Sequence, residues 1–592
     1  MNVLGIKFLN HDAGAALIAG ERVMAISEER LNRVKHSPNT FPLRSIDYCL
    51  QGLGLKHADI TLVVTDAVSH DSRLENFRKE SEAKIRSLFP NADFRLVNHH
   101  DAHAASAFFC SPFREAAVLV HDGAGEQFHS PFGGTVAETD TTYYGEGNRL
   151  YEIHKTVHPT KGNTFSVTTG IGWVYSWLTV NYLGLGSFNE GKMMGLAPYG
   201  DTSILEQFPL ERWCKEYRGE LFCNPKLSYV PPSFLVMVQK ITSVRKLFKV
   251  LMFRVHSMVR NTRRSRQDLF EEIVLPNPPR PKSLQLPDQY YSSVAYAGQK
   301  VLEEVTLRVC SKLFGITRST NIAIAGGVGL NIDANTRIIN ETGFKHIFIQ
   351  PAASDCGIPL GAALWGFHVI LGRPRFFTMT HAYLGKSYEE GDIHQALAFR
   401  AHEISFSKSS SIAKDTASIL SEGNIVGWFQ GASEYGPRAL GHRSILADAR
   451  VPEMRDIVNK RVKHREMWRP FAASVLKERV GDFFDLTEES PFMILLATVP
   501  QEKRTRIPSV VHVDGTCRIQ TLTKEANGLY YDLVNDFYSL TGVPLVLNTS
   551  FNLAGEPIVE TPTEALDSFL RTDMDYLVMG HYIITKKKPA TA

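Results

Sequence analysis

The chain has 592 residues, 43% apolar and 21% charged, which is more than one hydrophobic core can organise. No apolar run approaches the ~18 residues of a transmembrane helix, and the opening MNVLGIKFLNHD meets His and Asp too early for a secretory signal. A net charge of +3 argues against a protein built mainly to hold nucleic acid, and seven scattered cysteines without a C-x-x-C pair fit reduced thiols and a cytoplasmic location.

In chain order, Val3–Phe8, Ala15–Ile18 and Arg22–Ser27 read as apolar strands, the last two joined by the turn Ala19-Gly20-Glu21. His11-Asp12 sits at the first turn. A helix rich in alanine follows at His99-His100-Asp101-Ala102-His103. Ala116–Val120 is a strand running into His121-Asp122-Gly123, with another strand near Gly134–Ala137. Residues 184–200 form a glycine-rich stretch carrying Lys192, which reads as an ordered loop. Residues of about 205–285 interrupt the α/β pattern with a helical insertion. Within it no acidic residue occurs between Glu220 and Asp268, while nine cations from Lys240 to Arg266 alternate with apolar residues. That stretch reads as a solvated basic helix face or, alternatively, as a site for an anionic partner. The proline-rich run 276–281 is a linker, and Ser292–Phe314 a long helix. Ile322–Ala325 is a strand ending in Gly326-Gly327-Val328-Gly329-Leu330-Asn331, and His346–Gln350 one preceding Asp355. A composition shift sets a domain boundary near 378, giving domains 1–378 and 379–592. The second domain has strands at Ile425–Phe429 and Pro544–Leu547.

Several of these strands end in polar or glycine turns, and in open α/β sheets ligands collect beyond the carboxyl ends of strands. The expected fold is therefore α/β with an actin-like nucleotide-binding architecture in the first domain. His99 and His103 are four apart and share a helix face, a spacing that suits one metal ion as well as a capped or solvent-facing pair. Asp122 and Asp355 follow apolar strands, and two His with two Asp suit iron, manganese or zinc. The turn at Gly326, Gly327, Gly329 and Asn331 fits phosphate or adenosine, or simply a tight strand–helix connection. His11 has the pKa range of a general base, though a turn residue is the plainer reading. Arg438, Lys463, Arg469 and Arg518, among aromatics and prolines, with Asn548 after a strand, point to an anion pocket rather than surface ion pairs or an RNA face.

From His11-Asp12 through His99–His103, Gly326–Asn331, Gly436–Gly441 and Trp468–Phe471 to Asn548–Asn552, nearly the whole chain resembles the carbamoyltransferase family of antibiotic and nodulation-factor biosynthesis. The resemblance implies an actin-like (ASKHA-type) N-terminal domain of two subdomains, similar to threonylcarbamoyl-tRNA transferase. It also implies a C-terminal α/β domain of the threonylcarbamoyl-adenylate synthase type. It implies that carbamoyl phosphate and ATP give carbamoyl adenylate in the second domain, and that the first passes the carbamoyl group to a small-molecule hydroxyl. His99, His103, Asp122 and Asp355 would then hold Fe2+, and His11 would be the base. Lys35, Gly326, Gly327, Gly329 and Asn331 would contact the adenylate. Arg438, Lys463, Arg469, Arg518 and Asn548 would bind carbamoyl phosphate and ATP, with Mg2+ as a further cofactor. A homodimer is left open. Lys7-Phe8-Leu9-Asn10 lacks carboxylates and the insertion is basic, so the acceptor is expected to be neutral, anionic or carrier-borne rather than polycationic. The competing expectations are a tRNA-modifying transferase and an inactive nucleotide-binding scaffold.

Overall fold

The computed structural model describes residues 1–66, 74–129, 135–160, 169–217, 220–224, 226–229, 271–284 and 286–587. It is a mixed α/β structure that divides into two compact units, Met1–Phe165 with Thr306–Ala592, and Ser166–Val305.

The first unit opens with β1 (Asn2–Lys7), β2 (Gly14–Ala19) and β3 (Arg22–Ser27), an antiparallel meander, followed by β4 (Leu62–Asp66) and β5 (Asp93–Val97). The sheet order is β3-β2-β1-β4-β5, with β4 parallel to β1 and β5 parallel to β4. β1 and β2 are apolar along almost their whole length because both faces are covered. The pattern then repeats. β6 (Glu115–His121) carries β8 (Thr135–Glu146) antiparallel on one side, and β8 pairs with β7 (Gln127–His129) and β9 (Arg149–Pro159). On the other side of β6 lie β14 (Asn321–Ala325) and β15 (His346–Ile349), both parallel. Each sheet thus has a central strand flanked by an antiparallel hairpin and two parallel strands. The strand expected near Gly134–Ala137 is the start of β8, whose alternating buried and half-buried residues extend it to Glu146.

Two helices lie between these sheets at van der Waals contact, and glycine makes that possible. A Cβ on Gly5 of β1 would stand 1.9 Å from the carbonyl oxygen of Pro359, and one on Gly361 would stand 1.9 Å from that of Ala102. The helix Ile358–Trp365 therefore lies directly on β1 and against the helix His99–Phe108.

The C-terminal part of the same unit is a nine-stranded mixed sheet. Its strands are β16 (Ile404–Lys408), β17 (Val426–Phe429), β18 (Arg443–Ala447), β19 (Ala472–Leu476), β20 (Leu495–Thr498), β21 (Thr516–Leu522), β22 (Leu545–Ser550), β23 (Tyr576–Met579) and β24 (Tyr582–Lys586). Their order is β16-β24-β23-β17-β18-β22-β19-β21-β20. Residues from both sides of position 378 share one apolar cluster: Leu440, Ala472 and Phe492–Leu495 pack with Ala102–Ala107 and β6.

The second unit contains the helices Ile171–Trp177 and Glu190–Leu196, and the latter with the single turn Ala197–Tyr199 falls in the glycine-rich stretch for which an ordered loop was the plainer reading. It also contains an antiparallel pair, β10 (Cys214–Tyr217) with β11 (Glu220–Cys223), and a parallel pair, β12 (Leu227–Tyr229) with β13 (Ile273–Leu275). The insertion expected to be helical thus includes strands, each too short to show a period in the sequence. The basic run from Lys240 to Arg266 lies outside the described residues. The helix expected at Ser292–Phe314 spans Gln289–Thr317.

Candidate functional site

The ends of β1, β4 and β6 and the turn after β15 converge on one buried cluster. The ligand atoms of His99, His103, Asp122 and Asp355 all lie within 4.8 Å of one another, and all four residues are buried. Their placement follows from local rules. Asn98 caps the helix by accepting from the backbone N–H groups of His100 and Asp101 (3.0 and 3.2 Å), which fixes His99 in its first turn and His103 one turn later. Asp122 follows β6 directly. Its Oδ1 accepts a 2.8 Å bond from the N–H of Gly327. Gly326, at φ 92°, has no room for a side chain, since a Cβ would stand 2.4 Å from the His121 carbonyl oxygen.

Nε2 of His99 stands 3.5 Å from both Asp122 and Asp355, and Nε2 of His103 3.7 Å from Asp355. Those two Nε2 atoms and Nδ1 of His103 are buried without a hydrogen bond. Two residues that the sequence reading did not single out complete the cluster. Asp66, at the end of β4, meets Nδ1 of His99 at 3.1 Å. Lys7, fully buried at the end of β1, bridges Asp66 and Asp355 at 3.1 Å each. The available signals were an aspartate ending the apolar run LVVTD and a lysine ending NVLGIK. Burial opposes every charge here, and the partners win. Asp355 and Asp66 raise the Lys7 pKa, Lys7 and the neighbouring histidines hold Asp355 well below the carboxylate range, and Asp355 and Asp122 raise His99. Next to the metal-type cluster, His100 is pushed down to about 4 by burial. His11, on the β1–β2 connection, has Nδ1 3.2 Å from Asp12 and Nε2 3.8 Å from Asp355.

The second cluster has the opposite character. Arg518 on β21 and Asn548 on β22 both pair with Ala472 on β19, so the three form one row across the sheet with their side chains on one face. Arg438 comes from the loop between β17 and β18. Lys463, Arg465 and Arg469 come from the segment after the helix Met454–Val458. Arg465 joins this group although the sequence reading passed over it in its basic run. Burial is the largest influence on each cation, and the neighbouring cations add to it. Arg465 is lowered to about 9 and Arg438 to about 10, both pressed further by Arg469, while Arg518 and Lys463 fall well below their usual ranges. A guanidinium keeps its charge regardless, so for the arginines these shifts express the cost of enclosing the charge, with repulsion from neighbouring cations added to it. The carboxylate that meets this group is Glu466, 3.7 Å from Arg469. Nε of Arg438 and Nε of Arg518 are buried without a hydrogen bond. Lys463 donates to the carbonyls of Ser550 and Asn552 at 2.7 and 3.0 Å. Asn548 donates to Ser474 Oγ at 2.9 Å.

Three of the expected site residues have further placements. Asn331 spends its side-chain oxygen capping the helix Ile332–Glu341. Gly327 gives its N–H to Asp122. Lys35, expected to contact the adenylate, is exposed and acts electrostatically on Lys463. Short contacts tie the two clusters together. Arg30 donates to the carbonyl of Gly436 (2.9 Å), Arg33 to those of Pro557 and Ile558 (2.7 and 2.8 Å), and Tyr435 to that of Cys356, the neighbour of Asp355.

The family model described as Carbamoyltransferase N-terminus matches residues 2–84 and 79–364, and the one described as Carbamoyltransferase C-terminus matches residues 417–586. The chain belongs to the carbamoyltransferase family. It is 33% identical to the nodulation protein NolNO of Sinorhizobium fredii, over 98% of this chain and 79% of that one. It is 35% identical to the nodulation protein NolO of Bradyrhizobium diazoefficiens, over 84% and 80%. Among solved structures it is similar to HypF of T. kodakarensis, with a TM-score of 0.31 and 13% identity over 64% of this chain and 48% of that one. The family makes the protein a transferase. Among the described residues no helix is long and apolar enough to cross a membrane.

Proposed function

We propose that this carbamoyltransferase is an O-carbamoyltransferase working in two stages. The synthase-type part, 379–592, makes carbamoyl adenylate from carbamoyl phosphate and ATP. The actin-like (ASKHA-type) part, 1–378, delivers the carbamoyl group to a hydroxyl. The observation that supports this most is the convergence of buried Lys463 with the half-buried Arg438, Arg465, Arg469 and Arg518, a concentration of like charge that suits a polyanion. Each charge-assisted hydrogen bond to such a ligand contributes about 1.5–3 kcal/mol. Hydrolysis of carbamoyl phosphate by water releases inorganic phosphate and leaves carbamate. A carbamate oxygen then attacks the α-phosphorus of ATP, and pyrophosphate departs into the same cation set.

The four-residue cluster fits a divalent ion. Three carboxylates (Asp66, Asp122, Asp355) against the Lys7 ammonium leave an excess of two negative charges, and the N/O donor set suits Fe2+. A bound ion would act as a Lewis acid on the carbamoyl carbonyl or the adenylate phosphate. The protein's own share is orientation. Asp66 holds the His99 ring by Nδ1, leaving Nε2 for the ion, and Gly327 fixes Asp122. His11 would take the acceptor proton, while Lys35 and the Gly326–Asn331 turn contact the adenylate. Mg2+ would accompany ATP. The acceptor is assigned as neutral, anionic or carrier-borne, and preferred turnover of polycations would refute that part.

The direct test is pyrophosphate release from ATP on adding carbamoyl phosphate. Wild type is expected to release it and Arg518→Ala to lose it. No release by metal-replete wild type would overturn the two-stage reading.

A further inference from the structure

The loops on either side of His11 are built unusually. Ten described non-glycine residues have positive φ, and six of them, Asn10, Asp12, Arg33, His36, Ser37 and Asn39, lie in the β1–β2 connection and the segment after β3. Left-handed backbone at such residues costs about 1 kcal/mol or more each and persists where surrounding contacts over-determine it, which concentrates at functional sites. Here the contacts are explicit. The N–H of Asp12 donates to the carbonyl of His36, and that of Asn39 to the carbonyl of Asn10. Nδ1 of His36 stands 2.8 Å from Oδ1 of Asp12, and the N–H of His36 donates to Glu29 at 2.7 Å. The remaining carboxylate oxygen of Asp12, Oδ2, meets Nδ1 of His11 at 3.2 Å, and His11 Nε2 faces Asp355. Burial pushes the Asp12 pKa up, but the bonds from His11 and His36 outweigh it and hold it at about 2. An ionised carboxylate only accepts, so Nδ1 of a neutral His11 must carry the hydrogen.

We propose that Asp12 is a positioning residue for the transfer step: its carboxylate fixes His11 as the Nδ1–H tautomer, so that Nε2 offers its lone pair to the acceptor hydroxyl, while His36 fixes Asp12. This rests on the base role proposed above for His11. In the step itself the acceptor proton passes to His11 Nε2, the acceptor oxygen bonds to the carbamoyl carbon, and the bond from that carbon to the AMP oxygen breaks. AMP then leaves with the electron pair. An asparagine at position 12 would offer an amide N–H to Nδ1 and reverse the tautomer.

The test has a structural and a kinetic arm, both on the full chain. Nitrogen NMR of 15N-histidine-labelled protein at about pH 9, where imidazole is neutral, with His11 assigned by its loss in His11→Gln, should show hydrogen on Nδ1 in wild type. It should show a shift toward Nε2–H in Asp12→Asn. An unchanged tautomer overturns the proposal whether or not the enzyme turns over. For kinetics, carbamoyl transfer is measured to glycerol, which needs a base, and to hydroxylamine, which does not. Asp12→Asn should lose about 100-fold or more in kcat toward glycerol, keep hydroxylamine transfer and pyrophosphate release, and regain part of the glycerol rate as Asp12→Glu. An equal fall with both nucleophiles would mean a merely structural role. Absence of pyrophosphate release in wild type would instead count against the activation chemistry, leaving the NMR result to decide on Asp12.

Discussion

The two clusters handle buried charge in opposite ways. Around His99, His103, Asp122 and Asp355 the signs are mixed, and two of the four find an internal partner: His99 in Asp66 and Asp355 in Lys7. Around Arg518 and Arg438 the charge is of one sign, and the neighbours raise the cost of each cation. The first cluster is pre-organised by the ion pairs of Lys7 with Asp66 and Asp355. The second is held together by the sheet that carries it, and on the proposed reading its balance comes from an anionic ligand. The mixed-sign cluster is paired internally through Lys7 and Asp66, whereas in the one-sign cluster Lys463 is spent on backbone carbonyls while Nε of Arg438 and Nε of Arg518 stay without a hydrogen bond.

The contrast breaks most sharply at the mixed-sign cluster. Asp355→Asn removes a proposed ligand and the partner of Lys7 at once, so specific divalent-metal binding is expected to be lost, as read by metal content after dialysis; retention of one ion per chain would contradict it. Asp66→Asn leaves the four ligands in place and frees the His99 ring, with metal affinity expected to fall about 10–100-fold. In the one-sign cluster, Arg518→Met should weaken carbamoyl phosphate binding by ~10-fold or more, the worth of one charge-assisted bond. The same change should raise the melting temperature of ligand-free protein, because a repelling buried cation is gone. A lowered melting temperature would show that Arg518 is internally satisfied. Gly361→Ala drives a Cβ into the Ala102 carbonyl and should cost about 1–3 kcal/mol in denaturant unfolding while separating Asp355 from the histidine helix.

The smallest effect concerns pH. His100, fully buried, has its pKa lowered to about 4 in the folded state from an ordinary value near 6.5. A base with a depressed folded pKa binds fewer protons folded than unfolded, so it costs nothing above pH ~6.5. Stability is lost as pH falls from there toward 4, on the order of 1–2 kcal/mol by pH 5. His100→Gln should flatten that part of the thermal stability–pH curve. An unchanged slope would place the acid sensitivity on the carboxylates alone.

The strands of both N-terminal sheets were legible where they were long and apolar, as in β1, β2 and β6. β4 and β5 escaped: LVVTD is followed by no glycine turn of the kind that marked β6 and β14, and DFRLV is largely exposed and mixes charged with apolar residues. The four residues His99, His103, Asp122 and Asp355 were legible because each sits at a helix turn or strand end. Lys7 and Asp66 were not, since β4 itself was not read as a strand and a lysine ending an apolar strand gives no sign in sequence of the carboxylates it meets. Arg465 was hidden within a basic run where only the fold separates buried cations from solvated ones. Asp12 looked like a turn residue because its partner His36 lies 24 positions away.

The most direct test of the division of labour is a rapid-quench experiment with wild type, Arg518→Ala and His103→Ala, following pyrophosphate and carbamoyl transfer to hydroxylamine in parallel. The account predicts a carbamoyl-phosphate-dependent pyrophosphate burst in wild type and in His103→Ala, with transfer lost in the latter, and neither signal in Arg518→Ala. Loss of the burst in His103→Ala to the same degree as in Arg518→Ala would contradict it, placing both stages in one site.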